Sequence, residues 1–559
     1  IYRNIERIGG ALVLDYVLPS TAIKLSNFYS RKNTEQTTYT NTYDFAQQGF
    51  TLNYSDTPER WLTILTNALQ IDTRWRNWEL NAILSHAYNE NILPATISST
   101  NANSPGTPFN PNRVSDYNVD LDPETIPDSL VYTMDEVIQF MHLGGVDHDE
   151  SITKEQDFAG ELNLAYNFNI SSDINLKLNV GGKIRHKKKE YDRTSMNASN
   201  GGGSQEFRNL VYEAFEDRLS DRTKNAWATD NMRILLADFF DKDYDGTNHM
   251  GDRYDFGNVF DRDMFREMHD LLMDTYDEET VSAYSIVTHD FIDMNYNDYH
   301  GTEDYSAFYF MPEINLGSNL LFIPGVRYES NRTEYTGYRG NRLGVLGDWR
   351  KTPIDTVTKA RYNDFWLPMI QLFYTPTEWL TIKAGYTHTL QRPDYNNIMP
   401  GYVIGFQGSI DNLSNFRLEP EQSQNSDLQF SFHSDKIGLL SAGVFYKKIT
   451  DMIFWTGTTV ITDTSYFELP SLMNRQKAAY ATNNPNLTTN YGFEVEWQSN
   501  FWYLPGLLSG LVVNVNYTRN WSEAKYLRST IRTEIDPITY RATLFSEDTT
   551  YTSPMISQP

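Results

Sequence analysis

The stretch from Glu303 to Tyr335, EDYSAFYFMPEINLGSNLLFIPGVRYESNRTEY, decides the fold. Phe308, Phe310, Ile314 and Leu316 recur at period two, with Tyr309, Glu313 and Asn315 between them. After a tight turn at Gly317-Ser318, Leu320, Phe322, Val326 and Tyr328 repeat the pattern against Gly325, Arg327 and Glu329. Side chains of a strand alternate faces, so this is a hairpin with one apolar and one polar face. Such a hairpin suits a half-buried soluble sheet or the wall of a membrane barrel.

The same alternation recurs along the chain. Leu12, Leu14 and Tyr16 lead to a turn at Pro19-Ser20, and a short connection near Asp72 follows Trp61 to Ile71. Leu162 to Phe168 and Ile174 to Val180 flank a turn at 171–173. Further strands fall at Trp366 to Tyr374, Leu380 to Tyr386, Leu428 to Phe432, Leu440 to Tyr446, Phe493 to Trp497 and Leu511 to Tyr517. Connections at Pro19, Asp72, Ser172, Gly317, 375–378, 434–438 and 504–510 are short, and the alternating ones are long and polar. Short turns on one side and long loops on the other mark a transmembrane antiparallel β-barrel. A sandwich mixes loop lengths at both ends, and a propeller repeats at a fixed period. Glu494 and Glu496 in GFEVEWQ also suit a polar lumen better than a packed core.

Composition agrees. The 559 residues include 37 Tyr, 30 Phe and 11 Trp, and aromatic side chains fit a pleated surface. Mean hydropathy is −0.54, and no run reaches the ~20 apolar residues of a membrane helix. Asp and Glu number 73 against 47 Lys and Arg, a net charge of −26, which argues against nucleic acid as a partner. The basic run KIRHKKK at 183–189 is expected at a strand end and loop base. The absence of cysteine excludes disulfides and thiol chemistry. Ile1 opens without Met or a signal-peptide core, so the chain is expected to be mature or a fragment.

The expected architecture is a partial barrel over 1–559, with about fourteen or fifteen strands of about 22 and no closing strand after Ser553. Large outer loops are expected at about 91–155, 190–302, 337–360, 391–425 and 455–488, with a helical piece around Met134 to Met141. Others are expected at Phe207 to Leu219, Ala226 to Phe240 and Asp263 to Asp277. Trp366, Tyr374, Trp379, Tyr386, Trp497, Trp502 and Tyr503 suit interfacial girdles.

Several segments resemble the barrel of TonB-dependent outer-membrane receptors, particularly those of Bacteroidota. They are Arg392-Pro393-Asp394-Tyr395 with Pro400, and Leu418-Glu419-Pro420-Glu421 through Asn425, Asp427 and Leu428 to GVFYKKITDMI at 443–453. Gly492-Phe493-Glu494 with FWYLPGLLSGLVVNVNYT at 501–518, and FIPGVRYE in the opening hairpin, complete the set. The family's usual Asn-Pro is here Ser414-Asn415-Phe416. The resemblance implies an outer-membrane importer for a scarce large nutrient, of siderophore, cobalamin, oligosaccharide or peptide class. It implies a plug preceding Ile1 and pulled by the TonB complex, and a surface lipoprotein or other outer-membrane partner beside the membrane lipid. A non-transporting scaffold whose acidic loops bind partner proteins, and a passive porin, are the alternatives. An enzyme is not expected.

One local pattern points to a metal. Asp241, Asp243 and Asp245 precede Gly246, with Thr247 and Asp252 following. Three carboxylates around a glycine turn, a backbone carbonyl and a further Asp are oxygen ligands of the kind Ca²⁺ takes. Asn231 to Phe240 is expected as an entering helix. A solvated acidic loop is the competing reading, and His249 and Asp252 depart from the usual loop. His249, His269, His289 and His300 lack helical ligand spacing, and Glu494 with Glu496 reads as lumen lining.

Overall fold

A computed structural model describes residues 1–44, 49–102, 141–198, 204–231, 234–244, 258–279, 281, 285–289, 291–343, 352, 354–406 and 408–554. Fifteen long strands form one wall. They are β1 (Tyr2–Val17), β2 (Thr21–Asp44), β3 (Gly49–Trp75), β4 (Trp78–Ala102), β5 (Val146–Ser171), β6 (Ile174–Ala198), β7 (Tyr299–Leu316), β8 (Leu320–Asn341), β9 (Ile354–Thr377), β10 (Leu380–Gln391), β11 (Glu421–Ser434), β12 (Gly438–Thr450), β13 (Thr488–Asn500), β14 (Val512–Ile535) and β15 (Ala542–Ser553). Each pairs antiparallel with the next. Among the described residues no pairing joins β1 to β15. No described helix is long and apolar enough to cross a membrane.

The opening hairpin is β7 and β8, with Phe310 opposite Val326 and Ile314 opposite Phe322. Its turn is three residues, Gly317 to Asn319; Gly317 has φ +63°, a conformation glycine adopts without Cβ strain. Phe308 and Phe310 are exposed on the outward face. On the other face Arg327 Nε donates to Glu329 Oε1 at 2.8 Å and Arg327 Nη2 to the Tyr305 hydroxyl at 2.8 Å. The short connection after β3 is Arg76-Asn77, not near Asp72, and Arg76 takes φ 54° there.

The outward apolar band has sharp limits. On β6 it runs from Ile174 to Ile184, about eleven residues, the length a tilted strand needs to cross a bilayer. On β8 it runs from Leu320 to Tyr328. Trp75, Trp78, Tyr166 and Phe168 ring the lower edge, with Trp78 and Tyr166 centroids 4.5 Å apart. Tyr328 and Trp366, 4.9 Å apart, mark the upper edge. Trp497 and Trp502 donate their indole N–H to the Ile437 and Asp435 carbonyls of the turn between β11 and β12, at 2.9 and 3.1 Å.

The strands are far longer than this band. β3 has 27 residues, β5 26 and β6 25, so their upper halves stand clear of lipid. Four of the loops are therefore shorter than the expected 91–155, 190–302, 337–360 and 391–425: strand continues to Ala102, Ala198, Asn341 and Gln391 and resumes at Val146, Tyr299, Ile354 and Glu421, whereas the last loop fills 451–487 against the expected 455–488. The physical reason is that strand above the membrane has no lipid face, so its apolar alternation lapses. KIRHKKK is such a stretch: it is mid-β6, not a strand end.

The helical expectations fare unevenly. Helix α1 (Ser204–Phe215) continues as a 3-10 turn to Arg218, and α3 (Arg262–Met273) is capped by Asp261, whose Oδ1 accepts the Met264 N–H at 3.0 Å. Ala226 to Phe240 is not one helix: α2 (Asp221–Ala226) is followed by a π-helical turn to Asn231 and a separate 3-10 turn at Leu236–Phe239. The piece expected around Met134 to Met141 lies outside the described residues except for Met141.

The band predicts a depth-dependent penalty for charge. Phe322 sits only one pleat above the rim, so Val180, opposite Leu164 and Phe310, is the mid-band probe. Val180→Arg is expected to cost about 2–4 kcal/mol and reduce the folded, heat-modifiable fraction in lipid. Lumen-facing Lys183→Gln should leave that fraction unchanged; equal behaviour would refute the face assignment.

Candidate functional site at the outer mouth

The two faces of the wall carry different extracellular structure. The pairing of β5 with β6 runs unbroken from Val146 to Asn169, so Val146 and His148 share the outward face of Phe158. The helical insert packs on that face. Phe265, Met268 and Leu272 of α3 are fully buried with Val146, Tyr54 and Ala198. Tyr54 and Phe265 ring centroids lie 4.6 Å apart. Arg266 bridges from α3 to Asp56 at 2.7 Å and Glu35 at 3.1 Å. His269 Nε2 lies 2.7 Å from His148 Nδ1, and burial pushes the His269 imidazole pKa down. Burial also pushes Asp298, which accepts the Arg193 N–H at 2.8 Å, up to about 7.

The later loops attach to the lumenal face. Glu468 receives Lys359 at 2.6 Å and Arg339 at 2.9 Å; the Lys359 hydrogen bond holds its carboxyl below the ordinary range despite partial burial. Lys187 donates to the Tyr395 hydroxyl at 3.0 Å, and the Lys189 ammonium lies 3.9 Å over the Tyr395 ring. Burial, then the Glu303 carboxylate, raises the Tyr395 phenol. Arg361 donates to the Leu418 carbonyl and Asn363 to Glu419 at 2.9 Å.

Below this mouth the lumen wall is a charged lattice. Lys183 meets Glu161, Arg185 meets Asp157 and Glu303, and Lys187 and Lys189 share Glu155. The basic run thus turns four cations inward onto carboxylates of neighbouring strands. Arg392 reaches Glu329 at 2.9 Å, beside a concavity of about 480 Å³ lined by Tyr309, Met311, Arg327, Glu329, Met369 and Arg392. Rings, thioethers and paired charges can hold an amphiphilic solute by contact and hydrogen bonding. Glu494 and Glu496 line a second lumenal concavity with Asp427 and Lys383.

The motif residues act as staples. Asn483 Nδ2 donates to the Glu419 carbonyl at 2.9 Å and the Asp451 carbonyl at 2.7 Å, and its Oδ1 accepts the Glu419 N–H at 2.9 Å. Asn415, fully buried, donates to the Ala481 carbonyl at 3.0 Å, and Glu421 accepts the Ile453 N–H at 2.6 Å. Leu418 is fully buried among Tyr299, Tyr335 and Met399. These contacts tie residues 392–420 to 451–487. Sequence spacing flagged Leu418 to Glu421 but offered no signal for Asn483, whose partners are 32 and 64 positions away.

Of the residues expected to hold calcium, Asp241 and Asp243 are described: Asp241 Oδ1 accepts the Asp243 N–H at 2.9 Å. Asp245, Thr247 and Asp252 lie outside the described residues, as does His249. Among the described residues no group of three metal-ligating side chains converges. The segment before Asp241 is a 3-10 turn instead of the expected entering helix.

Residues 98–554 match the family model for the TonB dependent receptor-like beta-barrel. The chain belongs to that family. Its receptors reside in the outer membrane of Gram-negative bacteria, which places the apolar band and its girdles in that bilayer. No curated protein matches the receptor barrel. Among solved structures it is similar to the hemophore receptor HasR of Serratia marcescens, in complex with its hemophore HasA and heme (9% identity, 99% of this chain and 75% of that chain, TM-score 0.32). It is similar to the ferric enterobactin receptor PfeA of Pseudomonas aeruginosa (13%, 95% and 56%, TM-score 0.44). It is also similar to the RagAB peptide transporter (11%, 97% and 49%, TM-score 0.46). The receptor barrel therefore spans between half and three quarters of these chains' lengths.

The staple makes a local prediction. Asn483→Ala removes three hydrogen bonds and should loosen loop docking by about 1–3 kcal/mol. Limited proteolysis should accelerate within 392–420 and 451–487 while the folded barrel persists. Unchanged cleavage would show that the staple does not hold the loops.

Proposed function

We propose that this chain is the barrel of an energised outer-membrane importer for a scarce, large nutrient of siderophore, cobalamin, oligosaccharide or peptide class. Family membership supports the reading, and the observation that carries it is the attachment of 392–420 and 451–487 to the lumenal face of the mouth. Loops tied there by Glu468, Tyr395 and Leu418 stand between solvent and a polar lumen, where they meet a solute before it enters. In this reading a plug domain gates the lumen, the inner-membrane TonB complex supplies the work, and a surface lipoprotein or similar partner presents the cargo. The reaction is transport, with no bond made or broken in the cargo.

A second reading has one observation in its favour. Helices α1 and α3 of the insert pack into the apolar cluster on the outward face. A non-transporting scaffold would use such a module to bind a partner protein. A deletion strain separates the two readings. Loss of growth on one limiting nutrient, restored by the intact gene, is expected for the importer, together with that nutrient in the mass spectrum of the purified protein. Unaltered growth on all four nutrient classes would overturn it in favour of the scaffold.

We further propose that Ca²⁺ stiffens the turn of Asp241, Asp243, Asp245, Thr247 and Asp252, on the strength of oxygen-ligand spacing. Calcium titration should raise the protease resistance of residues 199–298, and Asp243→Ala should abolish that rise. No calcium response in the unaltered protein would end this assignment.

A further inference from the structure

The outward face above the lipid band carries a second feature of the wall. Three cross-strand rows can be followed there. The lowest sets His86 opposite Phe158, Phe158 opposite His186 and His186 opposite Asp304. The next sets Tyr88 opposite Gln156, Gln156 opposite Lys188 and Lys188 opposite Thr302. The highest sets Lys154 between Glu90 and Glu190. At the lowest row and immediately below it the face is apolar and bare: Phe158 is 50% exposed, Leu84 62% and Ile184 67%. These rows therefore lie where acyl chains give way to headgroups.

Two ammonium groups at this height have no ion-pair partner among the described residues. Lys154 and Lys188 are both exposed, whereas the inward Lys187 and Lys189 of the same run share Glu155 and outward His186 lies 2.7 Å from Asp304. Lys154 and Lys188 flank a concavity of about 490 Å³ shared with Tyr88, Gln156, Thr302 and Thr336. Its carboxylates are Glu190 and Glu334, the latter 3.4 Å from Arg332.

A polar ladder enters the concavity from the side. Asn27 donates to Asn67 at 2.6 Å, Asn67 lies 3.3 Å from His86 Nδ1, and Gln156 lies 3.2 Å from His86 Nε2. A neutral imidazole has one N–H, so one ring nitrogen donates and the other accepts. The amide nitrogens of Asn67 and Gln156 face the two ring nitrogens, so the ring accepts from one of them. Polar side chains on a lipid-facing wall are costly, and this ladder runs one row below the cations.

We propose that this concavity binds the phosphorylated headgroup of an outer-leaflet glycolipid. Lys154 and Lys188 meet its phosphate, Gln156 and the Thr302 and Thr336 hydroxyls meet its sugar hydroxyl and amide groups, and the acyl chains lie on Leu84, Phe158 and Ile184. A phosphate alone would find Glu190 and Glu334 repulsive, in a chain of net charge −26. A sugar phosphate gives those carboxylates hydroxyl donors to accept from. The apolar surface directly beneath assigns the headgroup to a lipid of the leaflet, not to a free ion.

The test uses the full receptor purified from outer membrane in mild detergent, with phosphoglycolipid per barrel measured by mass spectrometry. Lys154→Gln with Lys188→Gln should lower that ratio at least threefold. Lys448→Gln, at an exposed outward cation on β12 remote from the concavity, should leave it unchanged. Heat-modifiable migration confirms that all three are folded. Equal retention in all three would overturn the site. Displacement of the lipid by inorganic phosphate buffer would overturn its assignment to a glycolipid and leave an anion site.

Discussion

A wall in lipid must satisfy every backbone N–H and C=O within itself, because the surrounding hydrocarbon offers no partner. Everything else in this molecule follows from that requirement. It imposes unbroken antiparallel pairing from β1 to β15, and unbroken pairing fixes which side chains share a face. The same register that puts Phe310 and Val326 toward lipid puts Tyr309 and Arg327 toward the lumen. A slip of one residue would exchange the two sets. The charged lattice of Arg185, Glu303, Arg327 and Glu329 is thus a consequence of where the lipid-facing residues must be.

Above the bilayer the constraint relaxes, and the two faces are used for different purposes. Without lipid, the outward face of β3 to β6 accepts a helical insert, whose Phe265, Met268 and Leu272 supply the apolar contact. The lumenal face accepts two loops through ion pairs and hydrogen bonds to Glu468, Tyr395 and Leu418. Both attachments bury apolar side chains, Phe265 and Met268 in the insert and Ile404, Phe467 and Leu418 in the loops.

The family motifs take on a physical meaning in this frame. Arg392, Leu418, Glu419 and Glu421 do not form a catalytic constellation; they anchor loop ends to strands and to one another. Asn415, at the place where the family's Asn-Pro is altered, still supplies a buried staple to Ala481.

Periodicity established the two faces, and the alternation of short turns with long loops established the barrel and the side on which its turns are short. Within about ten residues of the rim, lipid demands an apolar residue at alternate positions, and that demand is written in the chain. The upper parts of β4, β5, β6 and β9 were not legible, because strand in water needs no such alternation; KIRHKKK and GYRGN look like loop for that reason. Nor did spacing disclose that Lys187 meets Tyr395, that Arg266 meets Asp56, or that Asn483 holds Glu419. These partners lie far apart in sequence and are brought together by register and loop closure. Which residues face lipid is a local property of the chain, whereas which loops seal the mouth and which cations stay unpaired on the outer rim were decided by the tertiary structure.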